Sequence, residues 1–206
     1  GDSYYNPYPA LTTFANDDRN SAENLSSTMI IHIVIIDRQG SSRSWTHAKQ
    51  LEKEVQQIWN DNDGSSGIYF EITYIPSFNG KTLREQAQAF HSADVLISPH
   101  GAQWASGAFL RPCTAILELF PKGYYLHYFQ SLVLIAGAIS WEGYPVDSDR
   151  LAETRATNAE GYEGRARARK PPIPASSASI RQALPQLLLS SLQCRRKQCL
   201  DDSEGY

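Results

Sequence analysis

Ala93-Asp94-Val95-Leu96-Ile97-Ser98-Pro99-His100-Gly101-Ala102-Gln103-Trp104 is the stretch of sequence that decides the fold. Its apolar run ends abruptly in His-Gly-Ala, a helix-like segment follows at 105–110, and a second apolar run extends from Thr114 to Phe120. This order predicts a strand, a tight turn, the start of a helix and another strand. In an open parallel sheet, such a turn lies at the carboxyl ends of the strands, where ligands bind. The backbone amides at the start of a helix favour an anionic group such as a diphosphate.

The rest of the chain alternates strands with helices around this stretch. Met29 to Ile36 is a continuous run rich in β-branched residues, which is typical of a strand buried on both faces. Further strands are predicted at 68–75, 94–98, 115–120 and 138–141, with helices at 45–59, 81–91, 101–110 and 124–136. The alternation predicts an α/β fold with a mostly parallel, Rossmann-like sheet that helices cover on both faces.

Composition divides the 206 residues into four segments. Residues 1–28 form an irregular N-terminal arm, and 29–145 form the Rossmann-like domain. Residues 146–178 are charged, rich in Ala and Pro and almost free of large aliphatic side chains, which predicts a disordered linker. Residues 179–206 are predicted as a C-terminal helix and tail, with the helix interrupted at Pro185.

Charge, hydropathy and cysteine content exclude several classes of protein. The net charge of −3 argues against nucleic acid as the main partner, and no apolar run approaches the ~18 residues of a membrane span. The three cysteines Cys113, Cys194 and Cys199 cannot all pair within the chain, and a local bridge between the last two stays open. Metal binding by this set is not expected, because the sequence has no CxxC.

Residues 29–145 resemble glycosyltransferase family 61. The resemblance is carried by four stretches in the family's order: Leu83-Arg84-Glu85-Gln86, residues 93–102, Phe109-Leu110-Arg111-Pro112, and Ala115-Ile116-Leu117-Glu118-Leu119-Phe120-Pro121. In addition, Ile33 to Arg38 together with Arg43 resemble a strand and loop of the family. Two pairs of residues depart from it, since Gln103-Trp104 replaces the common Gly-Leu and Ala105-Ser106 replaces Thr-Asn. The bulkier loop is expected to narrow the donor site or to change which sugar fits.

The resemblance implies one half of a GT-B fold, the half that binds the sugar donor. It implies an inverting glycosyltransferase that takes a nucleotide diphosphate sugar, most plausibly UDP-linked, without a metal or other cofactor. The implied partners are that donor, a glycan or glycoprotein acceptor, and an upstream N-terminal domain missing from this chain. The chain alone is therefore expected to bind nucleotide weakly and to turn over little. The implied location is the lumen of the endoplasmic reticulum or Golgi, with which the glycosylation sequon at Asn24 agrees.

Seven residues are candidates for the donor site, and His100 is also a candidate catalytic base. The guanidinium groups are suited to phosphate, the imidazole to phosphate or to the acceptor proton, the small residues to close approach of the backbone, and the carboxylate to a ribose hydroxyl. The candidates are Arg38, Arg43, His100, Gly101, Ala102, Gln103 and Glu118. Each has a structural alternative: a solvated or ion-paired arginine, a histidine that ties the turn, small residues required for helix–sheet packing, and a carboxylate in an internal salt bridge or helix cap.

Other signals are weaker. Asp61-Asn62-Asp63 matches a metal-binding DxD pattern but lies in a Gly/Ser-rich turn, which explains it better. The sequence contains neither G-x-G-x-x-G nor a P-loop motif. The basic run at 165–170 is typical of a solvated tail. A second hypothesis is a non-catalytic, degenerate Rossmann-like module for nucleotide binding or assembly, favoured by Gln103-Trp104. A third, a hydrolase using His100, lacks a nucleophile motif.

Overall fold

The computed structural model describes residues 29–60, 68–126, 128–145 and 149–203. The predicted arm at 1–28, the sequon at Asn24 and the DxD-like turn at 61–63 lie outside the described residues.

The core of the fold is a parallel sheet, to which the described part of the chain contributes five strands in the order β2-β1-β3-β4-β5. Each strand pairs in parallel with its neighbours. The strands are β1 Met29–Ile36, β2 Ile68–Ile75, β3 Val95–Pro99, β4 Ala115–Leu119 and β5 Ile139–Gly143. The chain moves outward in one direction from β1 to β2 and in the other from β3 to β5. The order therefore reverses between β1 and β3, and this reversal makes the crevice at the ends of those two strands the expected ligand site.

Helices cover both faces of the sheet, which confirms the predicted Rossmann-like α/β fold. The first and last helices pack on one face, and the second helix, a 3₁₀ helix and the third helix pack on the other. The helical elements are α1 Ala48–Asn60, α2 Leu83–Ser92, the 3₁₀ helix Ala102–Phe109, α3 Gln130–Ile135, α4 Arg150–Ala159, α5 Gly161–Ala168 and α6 Ser177–Ser203.

The continuous apolar character of β1 follows from its position inside the sheet. Ile33 and Ile35 pack towards α1 and α6, whereas Val34 and Ile36 pack towards α2 and the 3₁₀ helix. All four side chains are at most 1% exposed. Because successive side chains of a strand point to opposite faces, a central strand covered on both sides needs apolar residues at every position.

Helix α2 begins where its sequence provides a cap. Thr82 and Glu85 form a reciprocal capping box, in which the Thr82 side chain accepts from the amide of Glu85 and the Glu85 carboxylate accepts from that of Thr82. Hydrogen bonds that the Thr82 amide and hydroxyl donate to the Glu85 carboxylate lower the pKa of Glu85. The capping box explains why the helix predicted at 81–91 begins at Leu83.

The structure differs from the disordered linker predicted for 146–178. Its described residues form α4 and α5, and Asp149 caps α4 by accepting from the amides of the first turn. Ile173 and Ala175 are fully buried in the main core cluster. The few apolar residues of this segment are enough, because their partner is the large side chain of Trp45, whose Nε1 donates to the carbonyl of Ala175 at 2.7 Å.

Two predicted helices also differ in length. The helix predicted at 124–136 is limited to α3, because the aromatic residues Tyr124 and Phe129 before it pack on the ring of His100 instead. The C-terminal helix is longer than the predicted 180–192 and continues through Pro185. Pro185 lies on the exposed side of α6, whereas Leu184, Leu187 and Leu188 are buried against the sheet. The helix therefore keeps its apolar contacts despite the proline.

A disulfide joins Cys113 to Cys194 across 81 residues. The possible bridge between Cys194 and Cys199 is thus wrong, since Cys194 has a distant partner that sequence spacing does not reveal. Cys113 lies in the turn before β4, and Cys194 lies in α6. The bond therefore ties the last helix to the amino end of the sheet.

Replacing both bonded cysteines with serine, Cys113→Ser and Cys194→Ser, is expected to lower the free energy of unfolding by about 2–5 kcal/mol, because the unfolded chain loses a long covalent loop. Urea unfolding under oxidising conditions measures this. Cys199→Ser is the matched control and should change stability by less than about 0.5 kcal/mol. An unchanged unfolding midpoint in the double variant would show that the bond does not stabilise the fold.

Candidate functional site

The loop after β1 is held in shape by Asp37. Its Oδ1 accepts hydrogen bonds from the amides of Arg38 and Trp45, both at 2.6 Å. Its own amide donates to the carbonyl of Ile75 on β2 at 2.8 Å. Asp37 is 5% exposed, so one buried carboxylate fixes both ends of the loop that carries Arg38 and Arg43. Asp37 is not among the residues predicted from the sequence, although an acid directly after a buried strand is a recognisable signal.

Arg38 lies directly against the turn after β3. Its Nη1 donates to the carbonyl of His100 at 3.3 Å. A Cβ atom on Gly101 would lie 1.8 Å from that Nη1 and 2.9 Å from Cζ. Gly101 has an extended backbone, so a glycine is needed here for space and not for conformation. The guanidinium group of Arg38 occupies the volume that a side chain at position 101 would fill.

A cleft of about 280 Å³ opens beside Arg38 at the switch point of the sheet. Four segments form it: the end of β1 with the loop after it, the segment after β2, helix α2 and the start of the 3₁₀ helix. Its polar lining includes Arg38, Ser41, Asn79, Gln86 and Gln103, and Phe78 supplies an aromatic face. The volume lies just below the usual range for ligand pockets, so the cleft fits a small ligand or part of a larger one.

Of the predicted donor residues, Arg38, Ala102 and Gln103 line this cleft. The Gln103 side chain is engaged by the protein itself, since its Nε2 donates to Ser98 Oγ at 3.1 Å and to the carbonyl of Pro99 at 2.5 Å. Trp104 is fully buried and packs edge-to-face on Phe90. Of the residues that depart from the family pattern, Gln103 thus braces the turn and Trp104 fills the core.

His100 and Glu118 contact each other instead of lining the cleft. His100 Nδ1 lies 2.7 Å from Glu118 Oε1, and the two residues are 1% and 4% exposed. The imidazole stacks on Phe120 at a centroid distance of 4.9 Å, with Tyr124 and Phe129 at its other sides. The arrangement matches the structural alternatives for both residues, with the difference that the partner of His100 is a carboxylate from the neighbouring strand.

Arg43 lies over the ring of Tyr124. Its backbone adopts a left-handed conformation, with φ of 63°, and its Cζ lies 5.5 Å from the centroid of the Tyr124 ring. That distance is within reach of a cation–π contact. Its Nε is buried and finds no hydrogen-bond partner among the described residues. Arg43 therefore retains a donor that no described group of the protein uses.

The two arginines form a region of positive charge. Burial lowers the pKa of Arg38, and burial together with the charge of Arg38 lowers the pKa of Arg43 to about 10. Both groups remain cationic at neutral pH, and neither forms an ion pair with a carboxylate within the described ranges. The nearby charges of Asp37 on Arg38 and of Glu118 on Arg43 act in the opposite direction, but burial outweighs them. Partly desolvated cations of this kind attract a further anion.

Asp94 lies at the other end of the sheet and is structural, as expected for a turn or cap residue. Its carboxylate accepts from the amide of His32 at 2.8 Å and pairs with Arg111 at 2.6 Å. Arg195 of α6 also pairs with it. No group of three or more metal-ligating side chains occurs among the residues that the structure describes.

Fold and site together define a Rossmann-like α/β protein with a polar cleft at the topological switch point, lined by Arg38 and Asp37 among others. A family model described as Glycosyltransferase 61 matches residues 5–117, which are 113 of the 206 residues. The chain therefore belongs to the glycosyltransferase 61 family, and the predicted resemblance is confirmed. Membership supports a glycosyltransferase, which acts on a sugar donor and an acceptor. The match includes the two loop arginines and the turn at 100–103, and it ends one residue before Glu118. A comparison with curated proteins gives no match.

Two His–Glu pairs of unequal burial allow a matched test of the buried contact. Glu118→Gln is expected to lower the free energy of unfolding by about 1–3 kcal/mol, because it alters a desolvated hydrogen bond whose partner stays buried. Glu71→Gln removes the exposed partner of His32, at 3.2 Å, and should cost less than about 1 kcal/mol. Chemical denaturation of both variants measures the difference, and equal losses would contradict the assigned role of the pair.

The close contact at Gly101 predicts a coupled substitution. Gly101→Ala is expected to cost about 1–2 kcal/mol of unfolding free energy, because the new methyl group must displace the guanidinium of Arg38. In an Arg38→Ala background the same change should cost clearly less, since most of the clash is gone. A double-mutant cycle measures the coupling, and additive effects would show that the two groups do not meet.

Proposed function

We propose that this chain binds the diphosphate of a nucleotide sugar between the ends of β1 and β3, as the donor-binding part of an inverting glycosyltransferase. One observation carries the proposal: Arg38 is held against Gly101 at the switch point of the sheet, and within the described part of the chain neither it nor Arg43 forms an ion pair with a carboxylate. Family membership supplies the reaction class, and the polar cleft supplies a place for the part of the donor that leaves.

The chemistry of sugar transfer explains why such a cleft is useful. An acceptor hydroxyl attacks the anomeric carbon, the bond to the nucleoside diphosphate breaks, and negative charge accumulates on the diphosphate. Cations already fixed in place stabilise that charge without reorganising during the reaction. The fork of Arg38 is suited to bidentate contact with phosphate oxygens, and its backbone is already positioned by Asp37.

The proposal gives His100 a positioning role as well as the catalytic one that the sequence predicts. Its carbonyl receives Arg38, and its ring is fixed by Glu118 and Phe120. At 1% exposure the imidazole meets an acceptor only if the surrounding aromatic side chains move aside. A base supplied by another group on the acceptor side is the simpler arrangement.

The finer features of the donor and its setting are also part of the proposal. A UDP-linked sugar, a glycan or protein hydroxyl as acceptor, and transfer without a metal follow from the family resemblance. The Cys113–Cys194 disulfide supports an oxidising compartment such as the lumen of the endoplasmic reticulum or Golgi. None of the described helices combines the length and the hydropathy that crossing a membrane requires.

A second candidate function is nucleotide binding without catalysis, as a degenerate module for assembly or sensing. The observation that favours it is the small cleft of about 280 Å³, together with the engagement of Gln103, His100 and Glu118 inside the protein. Both functions require an anion at Arg38, whereas only the first requires cleavage of the sugar–phosphate bond.

The decisive measurement is the melting temperature of the chain with UDP. A dissociation constant near 100 μM would stabilise the chain by about 1.4 kcal/mol at about 1 mM UDP, which for a chain of this size raises the melting temperature by about 3–5 °C. Arg38→Gln should abolish the shift. Arg84→Gln, an exposed arginine on α2, is the matched control and should retain it. Absence of a shift for the unmodified chain at millimolar UDP would refute nucleotide binding.

Cleavage of the bond between the sugar and the diphosphate separates the two candidate functions. Incubation with UDP-sugars and measurement of released UDP should show slow turnover for an enzyme. Binding with no release of UDP over many hours, for any common UDP-sugar, would favour the non-catalytic module.

A further inference from the structure

The segment after α5 is attached to the loop that carries the two arginines. The amide of Ile173 donates to the carbonyl of Ser44 at 2.8 Å, and a β-bridge pairs Ile173 with Trp45. The Trp45 indole donates to the carbonyl of Ala175. These contacts fix the C-terminal side of the segment one residue away from Arg43.

The end of α5 is positioned on the other side of the same arginine. A Cβ atom on Gly123 would lie 3.9 Å from the Cβ of Ala168, so the last turn of α5 packs against Gly123. The next residue, Tyr124, is the aromatic residue beneath Arg43. Arg169 follows α5 directly and therefore lies between an anchor at Gly123 and an anchor at Ser44.

We propose that Arg169 is a third cation of the anion site, where it contacts the diphosphate of a nucleotide together with Arg38 and Arg43. The proposal rests on the proposed function for the identity of its ligand. It assigns a binding role to a segment whose basic residues the sequence alone describes as a solvated tail.

Electrostatics and burial distinguish Arg169 from its basic neighbours. Its charge contributes to the lowered pKa of Arg43, after burial and the charge of Arg38, so the two groups are close in space. Arg167 pairs with Glu160, and Arg165 and Lys170 are exposed. Arg169 is half-buried and, within the described residues, forms no ion pair with a carboxylate. Three cations of this kind repel one another until an anion binds between them.

A purely structural role for Arg169 makes a different prediction. Its amide donates to the carbonyl of Arg165 at 3.2 Å, and a cation at the end of a helix stabilises the helix dipole. That role would affect the stability of the free chain and leave its affinity for anions unchanged.

The test measures the affinity of four variants for two probes, UDP and inorganic pyrophosphate, by titration calorimetry. Arg169→Gln is expected to weaken both by about tenfold, because one charge-assisted contact with phosphate is lost. Arg169→Lys should recover part of the affinity, since it keeps the charge without the fork. Arg165→Gln and Lys170→Gln, exposed neighbours of the same charge, are the matched controls and should bind within about twofold of the unmodified chain.

The outcomes separate the inference from the function on which it rests. If the unmodified chain binds pyrophosphate but not UDP, nucleotide binding fails while the dependence on Arg169 is still measured with pyrophosphate. Equal affinity of Arg169→Gln and the unmodified chain would overturn the inference alone. An equal loss in Arg165→Gln would also overturn it, because the effect would then be nonspecific. Absence of binding to either probe would overturn both.

Discussion

The contact on which the candidate site depends is the approach of the Arg38 guanidinium to the backbone of Gly101. It requires β1 and β3 to lie side by side, which the pairing of Ile33 with Val95 establishes. It also requires a residue without a side chain at position 101, because a Cβ there would lie 1.8 Å from the guanidinium. Finally it requires the loop after β1 to be fixed, which the carboxylate of Asp37 achieves. The site is therefore a consequence of strand order, one glycine and one buried carboxylate.

Burial of the two arginines costs electrostatic free energy in the free protein. Burial of a cation is unfavourable unless an opposite charge lies nearby, and burial lowers the pKa of both Arg38 and Arg43. Elsewhere in the molecule, cations at comparable depth have carboxylate partners, as Arg111 and Arg195 have in Asp94. The two ends of the sheet therefore differ: within the described residues, Asp94 forms ion pairs with its arginines, whereas the arginines at the carboxyl ends form none and have Asp37 only as a nearby charge.

The sequence predicts the sheet and the location of the cleft, but not the contacts within it. The continuous apolar run of β1 and the His-Gly-Ala turn are local signals, so the α/β fold and the importance of Arg38 follow from them. The pairing of His100 with Glu118 depends on the register of two strands, in which Ser98 lies opposite Glu118. The disordered linker was predicted because 146–178 has few large aliphatic residues, whereas burial of Ile173 and Ala175 depends on Trp45, 130 residues before Ala175. The disulfide likewise joins residues 81 positions apart. Composition describes a segment by itself and does not show which distant side chain will cover it.

Helix α6 connects these long-range contacts with the site. It begins after Ala175, beside the loop that carries the arginines. In its C-terminal half, Arg195 pairs with Asp94 and Cys194 is bonded to Cys113, both at the amino ends of the strands. The helix thus spans one face of the sheet from the site to the opposite end, with Leu184, Leu187 and Leu188 buried along its length. Because the segment at 173–175 is joined to the start of α6, anchoring the helix at the far end restricts how far that segment can move away from Ser44 and Trp45. The position of the arginine loop is consequently determined both by Asp37 within the loop and by a helix that is fixed at the other end of the molecule.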